Sequence, residues 1–273
     1  RENPFFLYFA TTHIHHPFTP APRFMRTSEA GRYGDFIHEL DWMVGEILTT
    51  LDEEGLTGNT LVILSSDNGG MLNQGGQEAY AAGHRMNGDL MGFKFDAWEG
   101  GHRVPCIVRW PGNVPAGSLS GALTSNVDFL ATMAELTGLT DLAREAQDSY
   151  SFLPVLKGEA GHQGRDHLVI AANSRRHLSI RKGPWMYIPA RGGGGFRSPR
   201  VGDHMFGGPG AFPFTGQENS DIVNGKIRED APPAQLYNLE TDPTQNQNVY
   251  RDHPGIVAEL QQLLEETIGR GSI

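Results

Sequence analysis

Several places in the chain combine reactive residue types with a setting that could use them. Asp67-Asn68 stands where the apolar run Leu61-Val62-Ile63-Leu64 gives way to Ser65-Ser66 and then Gly69-Gly70. A carboxylate beside a carboxamide offers hard oxygen donors, which suit calcium or magnesium better than zinc or copper. The same Asp-Asn-Gly-Gly run also serves as a plain turn signal. His13, His15 and His16 follow a second apolar run, Phe5 to Ala10. Imidazoles there could bind an anion when protonated or pass a proton near neutral pH, the alternative being a solvated loop. Lys94, in Gly92-Phe93-Lys94, could hold an oxyanion as a point charge or be ordinary solvated surface. His84 and Asn87, between Gly83 and Gly88, are secondary candidates for a polar substrate. Arg175, Arg176 and His177 could bring positive charge to such a pocket, beside the glycine-rich stretch near Arg191 to Arg200. Cys106 heads an apolar run and reads as core rather than nucleophile.

These residues need elements to position them. Phe5 to Ala10 reads as a fully buried strand of a parallel sheet covered on both faces. Phe36, Ile37, Leu40, Val44, Ile47, Leu48 and Leu51 recur at helical steps, with Gly55 and Gly58 closing the helix. Leu61 to Leu64 is the next buried strand, so a β–loop–α–β progression predicts a mainly parallel sheet with ligands at the strands' C-terminal ends. Met71 to Gly101 is too long for a simple connector. Val104 to Trp110 is a third strand, and a helix follows with Ser125 as its N-cap and Val127, Leu130, Ala131, Ala134 and Leu136 on its apolar face. A change of composition around Asp148 to Glu159 divides residues 1–150 from a smaller region, 151–273. Short strands are expected there over His167 to Ala172, His177 to Arg181, Trp185 to Pro189 and Leu236 to Leu239. A last helix from Pro254 carries Val257, Leu260, Leu263, Leu264 and Ile268 on one face. The fold class is therefore α/β, a sandwich around a mainly parallel sheet plus a small antiparallel sheet with a packed helix.

Composition removes other classes. The 273 residues carry 32 acidic and 22 basic side chains, a net charge of −10, which argues against a protein that coats nucleic acid. No apolar run approaches the roughly 20 residues of a membrane span. A single cysteine excludes an internal disulfide framework and a multi-cysteine zinc site.

Taken in order, four segments resemble the type I, formylglycine-dependent sulfatases (arylsulfatase-like enzymes of the alkaline phosphatase superfamily). They are Phe5-Phe6-Leu7-Tyr8 with the histidine loop, Leu64 to Gly69, Gly92-Phe93-Lys94 through Glu99-Gly100-Gly101-His102-Arg103-Val104-Pro105, and Leu236 to Pro243 with the last helix. The resemblance implies that Asp67 and Asn68 bind calcium and that Lys94 holds a sulfate oxygen. It also implies that His15, with His13 as second choice, binds sulfate and donates a proton. His84, Asn87, Arg176 and His177 are then candidates to contact a sulfated aryl or carbohydrate ester. Members of this family are commonly exported, which implies a periplasmic or extracellular place.

One departure is large. The family's nucleophile lies in a Cys-x-Pro-Ser-Arg motif or a serine variant, whereas Cys106 is followed by Ile107-Val108-Arg109 and Ser198-Pro199-Arg200 has the wrong spacing. The acidic residues of the other half of the metal site are missing too. Both precede the Phe5 segment in the family, so this chain is expected to be the C-terminal part of an enzyme, neither holding calcium tightly nor turning over alone. Two rivals remain: a phosphoric or phosphonic ester hydrolase of the same superfamily, against which Asn68 in place of histidine speaks, and an inactive carbohydrate-binding module.

Overall fold

The computed structural model describes residues 3–139, 146–162, 164–195 and 207–270. The helical period centred on Val44 becomes α1 (Gly31–Glu53). Its buried Asp35 accepts hydrogen bonds from the backbone N–H groups of Arg26, Thr27 and Ser28 at 2.8–2.9 Å, so one carboxylate fixes the turn that enters the helix. Then come β1 (Val62–Ser65), α2 (Gln74–Ala81), α3 (Glu99–His102) and β2 (Cys106–Arg109). The stretch expected as one long loop thus holds two short helices. Asn73 caps α2 by accepting from Gly76 N–H at 3.0 Å, as a short polar side chain does where the first amides lack partners.

After β2 the chain forms α4 (Asp128–Thr137), α5 (Leu153–Leu156), β3 (His167–Ile170), β4 (Ser179–Lys182) and β5 (Trp185–Ile188). It continues as α6 (Phe212–Thr215), β6 (Ile222–Val223), β7 (Lys226–Ile227), β8 (Gln235–Asn238) and α7 (Pro254–Gly269). Strands β3, β4, β5 and β8 form one antiparallel sheet in that order. Side chains alternate across it, as the period of two requires. Ile180, Tyr187 and Leu236 pack on Val257, Leu260 and Leu264 of α7. Met186, Ile188 and Tyr237 face the other way, onto Met91, Ala97 and Trp98. The segment that carries Lys94 therefore rests on the C-terminal sheet.

Four local expectations are corrected. Residues 5–10 have no strand partner among the described residues and run exposed, Phe6 at 82% and Tyr8 at 83%. A strand needs neighbours for its backbone groups, and hydrophobicity alone supplies none. The pairing of β1 with β2 is antiparallel, Val62 opposite Arg109 and Ser65 opposite Cys106, within a fold whose class is α/β as expected. Cys106 is exposed rather than core, because among the described residues it starts a strand paired only with β1. Helix α4 starts at Asp128, not after a Ser125 cap: the Asp128 carboxylate accepts from Ser125 N–H at 2.8 Å, while Val127 and Leu130 are half exposed.

Candidate active site

Three backbone crossings assemble the site. At the end of β1, Gly69 N–H donates to Gly101 O at 3.0 Å, Lys94 N–H to Gly70 O at 2.8 Å, and Gly100 N–H to Met91 O at 2.8 Å. The crossings are so close that a Cβ on Gly69 would lie 1.8 Å from the Gly100 carbonyl oxygen, and one on Gly100 would lie 2.3 Å from that of Gly92. Only glycine allows such an approach. The glycines around Asp67-Asn68 and Lys94 thus do more than mark turns: they bring the two segments into contact.

Asp67, Asn68, Lys94, Asp96, His102 and Asn173 consequently line one cleft of about 280 Å³. Asn68 Nδ2 donates to Asp67 Oδ1 at 2.6 Å, which leaves the Asn68 carbonyl oxygen and the second Asp67 oxygen as donors to a cation. The pair fits a hard cation such as calcium by donor type, yet calcium takes six to eight oxygens. Among the described residues no cluster of three or more His, Cys, Asp or Glu could hold a metal. The two oxygens of the Asp67-Asn68 pair alone fall short of the number calcium takes.

The histidine loop separates into distinct places. His15 and His16 stack with ring centroids 4.3 Å apart, and His15 Nδ1 lies 2.7 Å from the His16 carbonyl oxygen. If Nδ1 carries the proton of that hydrogen bond, Nε2 is left for chemistry. Burial, then the charges of His15 and Lys94, pull the His16 imidazole below its usual value, so this loop shares the field of Lys94. His13 turns the other way, its ring centroid 4.0 Å from that of Phe36 and its Nε2 3.3 Å from Glu39 on α1. That packing on α1, rather than the cleft, is where the structure places His13.

The secondary candidates lie elsewhere too. His84 packs beside Tyr33 of α1, ring centroids 5.5 Å apart, and burial followed by the nearby Arg85 charge lowers its imidazole. Asn87 is a staple: its Oδ1 accepts from Gly70 N–H at 2.7 Å and its Nδ2 donates to Gly92 O at 3.1 Å. It ties the Asp67 turn to the Lys94 segment. Arg176 is exposed on a 3₁₀ turn, Arg175–His177, and His177 lies against Gly194 with Nε2 2.9 Å from Arg191 O. Both follow closely after Asn173, which does reach the cleft. Ser198-Pro199-Arg200 lies outside the described residues.

Three cleft residues are not among the candidates named from the sequence, although Asp96 and His102 lie within the segment that carries the resemblance. His102 follows the two glycines of α3, and its Nε2 lies 3.1 Å from Ala97 O; burial above all holds the imidazole low. Its helix is anchored from below by the fully buried Glu99, 3.3 Å from Arg103 and 3.5 Å from Arg181 of β4. Asn173 arrives from the end of β3, its N–H donating to Phe95 O at 3.1 Å. Asp96 lies beneath the turn, out of water. None is singled out by its residue type or its spacing.

A family profile described as Sulfatase matches residues 1–139, and the chain belongs to the sulfatase family. The N-acetylgalactosamine-6-O-sulfatase of Bacteroides thetaiotaomicron is 37% identical over 268 residues, covering 97% of this chain and 47% of that protein. The steryl-sulfatase of Rattus norvegicus is 38% identical over 174 residues, 64% of this chain and 30% of that enzyme. A solved Bacteroides thetaiotaomicron structure, described as a 6S-sulfatase in the metabolism of multiple glycosaminoglycans, superposes with a TM-score of 0.78 at 35% identity. It matches 97% of this chain and 50% of the solved one. The chain thus spans about half the length of the Bacteroides relative.

Proposed function

We propose that the protein carrying this chain hydrolyses the sulfate ester of a carbohydrate or small aryl alcohol, and that its catalytic centre is completed by residues outside these 273. The observation that supports this most is one cleft lined by Asp67, Asn68 and Lys94, with the His15–His16 loop in the field of Lys94. Residues 1–150 then belong to the catalytic α/β domain and 151–273 to a smaller subdomain. Export to the periplasm or exterior is part of the same reading, to be tested by fractionation.

Each group has a task in that reading. Lys94 presents a cation to a sulfate oxygen, and such a preorganised charge acts most strongly where water is excluded. His15, as an imidazolium with Nδ1–H turned to the His16 carbonyl, donates the Nε2 proton to the departing alcohol oxygen. Asp67 and Asn68 would hold calcium together with acidic residues from the rest of the protein. When bound, calcium supplies charge neutralisation at the sulfate and a formylglycine hydrate supplies the nucleophile. Asn173 and its neighbours form the wall nearest the alcohol portion. The relative's name makes a 6-O-sulfated amino sugar the first substrate to assay.

Steady-state assay of the full-length protein decides the matter. Lys94→Ala is expected to lower kcat by about 10²–10³-fold, the usual cost of removing one charge-stabilising donor. His15→Ala should lower it by about 10²-fold or more, as loss of a general acid does. Wild-type turnover in both variants would overturn the assignment.

A further inference from the structure

Asp96 is a buried carboxylate without a cation partner among the described residues. Its Oδ2 accepts from Phe93 N–H at 3.0 Å and from Gly208 N–H at 3.2 Å, and Gly195 N–H is a third donor. Four glycines form the cradle. A Cβ on Gly92, Gly193, Gly195 or Gly207 would lie 3.0, 2.4, 2.7 or 3.1 Å from an Asp96 oxygen. The donors come from two stretches far apart in the chain, the Lys94 turn and the glycine-rich part of the C-terminal region. Two of these donors share Oδ2, so a carboxamide that kept them would present its N–H groups where Oδ1 now faces Gly193 and Gly195. Two flanking bonds join the same surfaces: Ala97 N–H to Gly193 O at 2.6 Å and Asn173 N–H to Phe95 O at 3.1 Å.

Building on the sulfatase reading above, we propose that Asp96 is a positioning residue: its carboxylate clasps the C-terminal region to the Lys94 turn and so sets the gap between Lys94 and the Ala171–Asn173 wall. The clasp governs how the alcohol part of the ester is seated, and Lys94 itself keeps its place through Gly70. Loss of the clasp therefore acts on substrates large enough to reach the wall.

Burial raises the Asp96 carboxyl to about 7 despite its backbone hydrogen bonds. Ionising Asp96 therefore costs stability increasingly from the ordinary carboxylate range up to about pH 7 and fully at pH 8, a cost that Asp96→Asn removes and that offsets the hydrogen bonds it loses. In the full-length protein at pH 8, Asp96→Asn is expected to melt no lower than wild type. Its KM for a 6-sulfated amino sugar should rise about tenfold with kcat within twofold, while a small aryl sulfate is turned over as before. Gly193→Ala, whose Cβ would press on Asp96 Oδ1, should give the same split. Hydrogen exchange reads the clasp without any turnover: amides of 193–195 or of Gly208 should exchange at least tenfold faster in Asp96→Asn. Unchanged protection, or parallel losses on both esters, would overturn the clasp. The expected loosening of those amides in Asp96→Asn, with the wild-type protein inactive on every sulfate ester, would instead sink the sulfatase reading and spare the clasp.

Discussion

Two sheets of four-residue strands meet opposite fates in this molecule. In the C-terminal sheet Ile180, Met186, Ile188, Leu236 and Tyr237 are wholly buried, sealed by α7 on one face and by the Trp98 segment on the other. In the β1–β2 pair no strand residue is fully buried, and Ile107 is 60% exposed. The strands are comparably apolar. What differs is the company: four strands with a helix bury both faces, whereas two strands alone seldom hold together in water. The cleft lies where the two regions join, its Asp67-Asn68 turn on the open sheet and its far wall around Asn173 on the sealed one.

The largest effect expected of a single change lies at a bridge within this join. Arg165, just before β3, pairs with the buried Asp128 of α4 at 2.6 Å. Arg165→Met would leave that carboxylate buried without a cation and should cost about 3–5 kcal/mol in urea unfolding. Leu260→Ala, between α7 and the sealed sheet, should cost about 2–5 kcal/mol by the same measurement, from lost burial and the cavity left behind. A cost below about 1 kcal/mol would mean that α7 is not the cover it appears from its packing. Ile107→Ala sharpens the contrast from the other side. In the 273-residue chain its effect should stay within about 0.5 kcal/mol, as for a surface position. A cost matching that of Leu260→Ala would show the open sheet to be covered after all.

The sealed region was easy to read in the sequence for the same reason that it is stable. Its strands were expected over His167 to Ala172, His177 to Arg181 and Trp185 to Pro189, and they form at His167–Ile170, Ser179–Lys182 and Trp185–Ile188. The last helix begins at Pro254 as its first-turn proline implied. Local pattern and tertiary burial agree there. Phe5 to Ala10 misled because a run of aromatics signals burial without saying what provides it. In the cleft, Asp67 and Asn68 were legible from type and from the glycine turn that follows them, and Lys94 from the resemblance of its segment. His15 ranked above His13 only by the resemblance, since three imidazoles in one loop otherwise differ only in what packs beside them. Asp96, His102 and Asn173 stayed hidden because their meaning lies in contacts with Gly208, Ala97 and Phe95, which spacing along the chain does not encode.

The crossing of Gly69 over Gly100 has an evolutionary consequence. Two main chains that touch with no side chain between them leave natural selection nothing to vary at that spot: any replacement collides, and no neighbour can retreat because the obstacle is backbone. If the protein acts as proposed, divergence in what it accepts would have to be written on the facing wall around Asn173, which enters from another part of the polypeptide. Such a division would separate a part of the cleft that cannot be altered from one that can be reshaped.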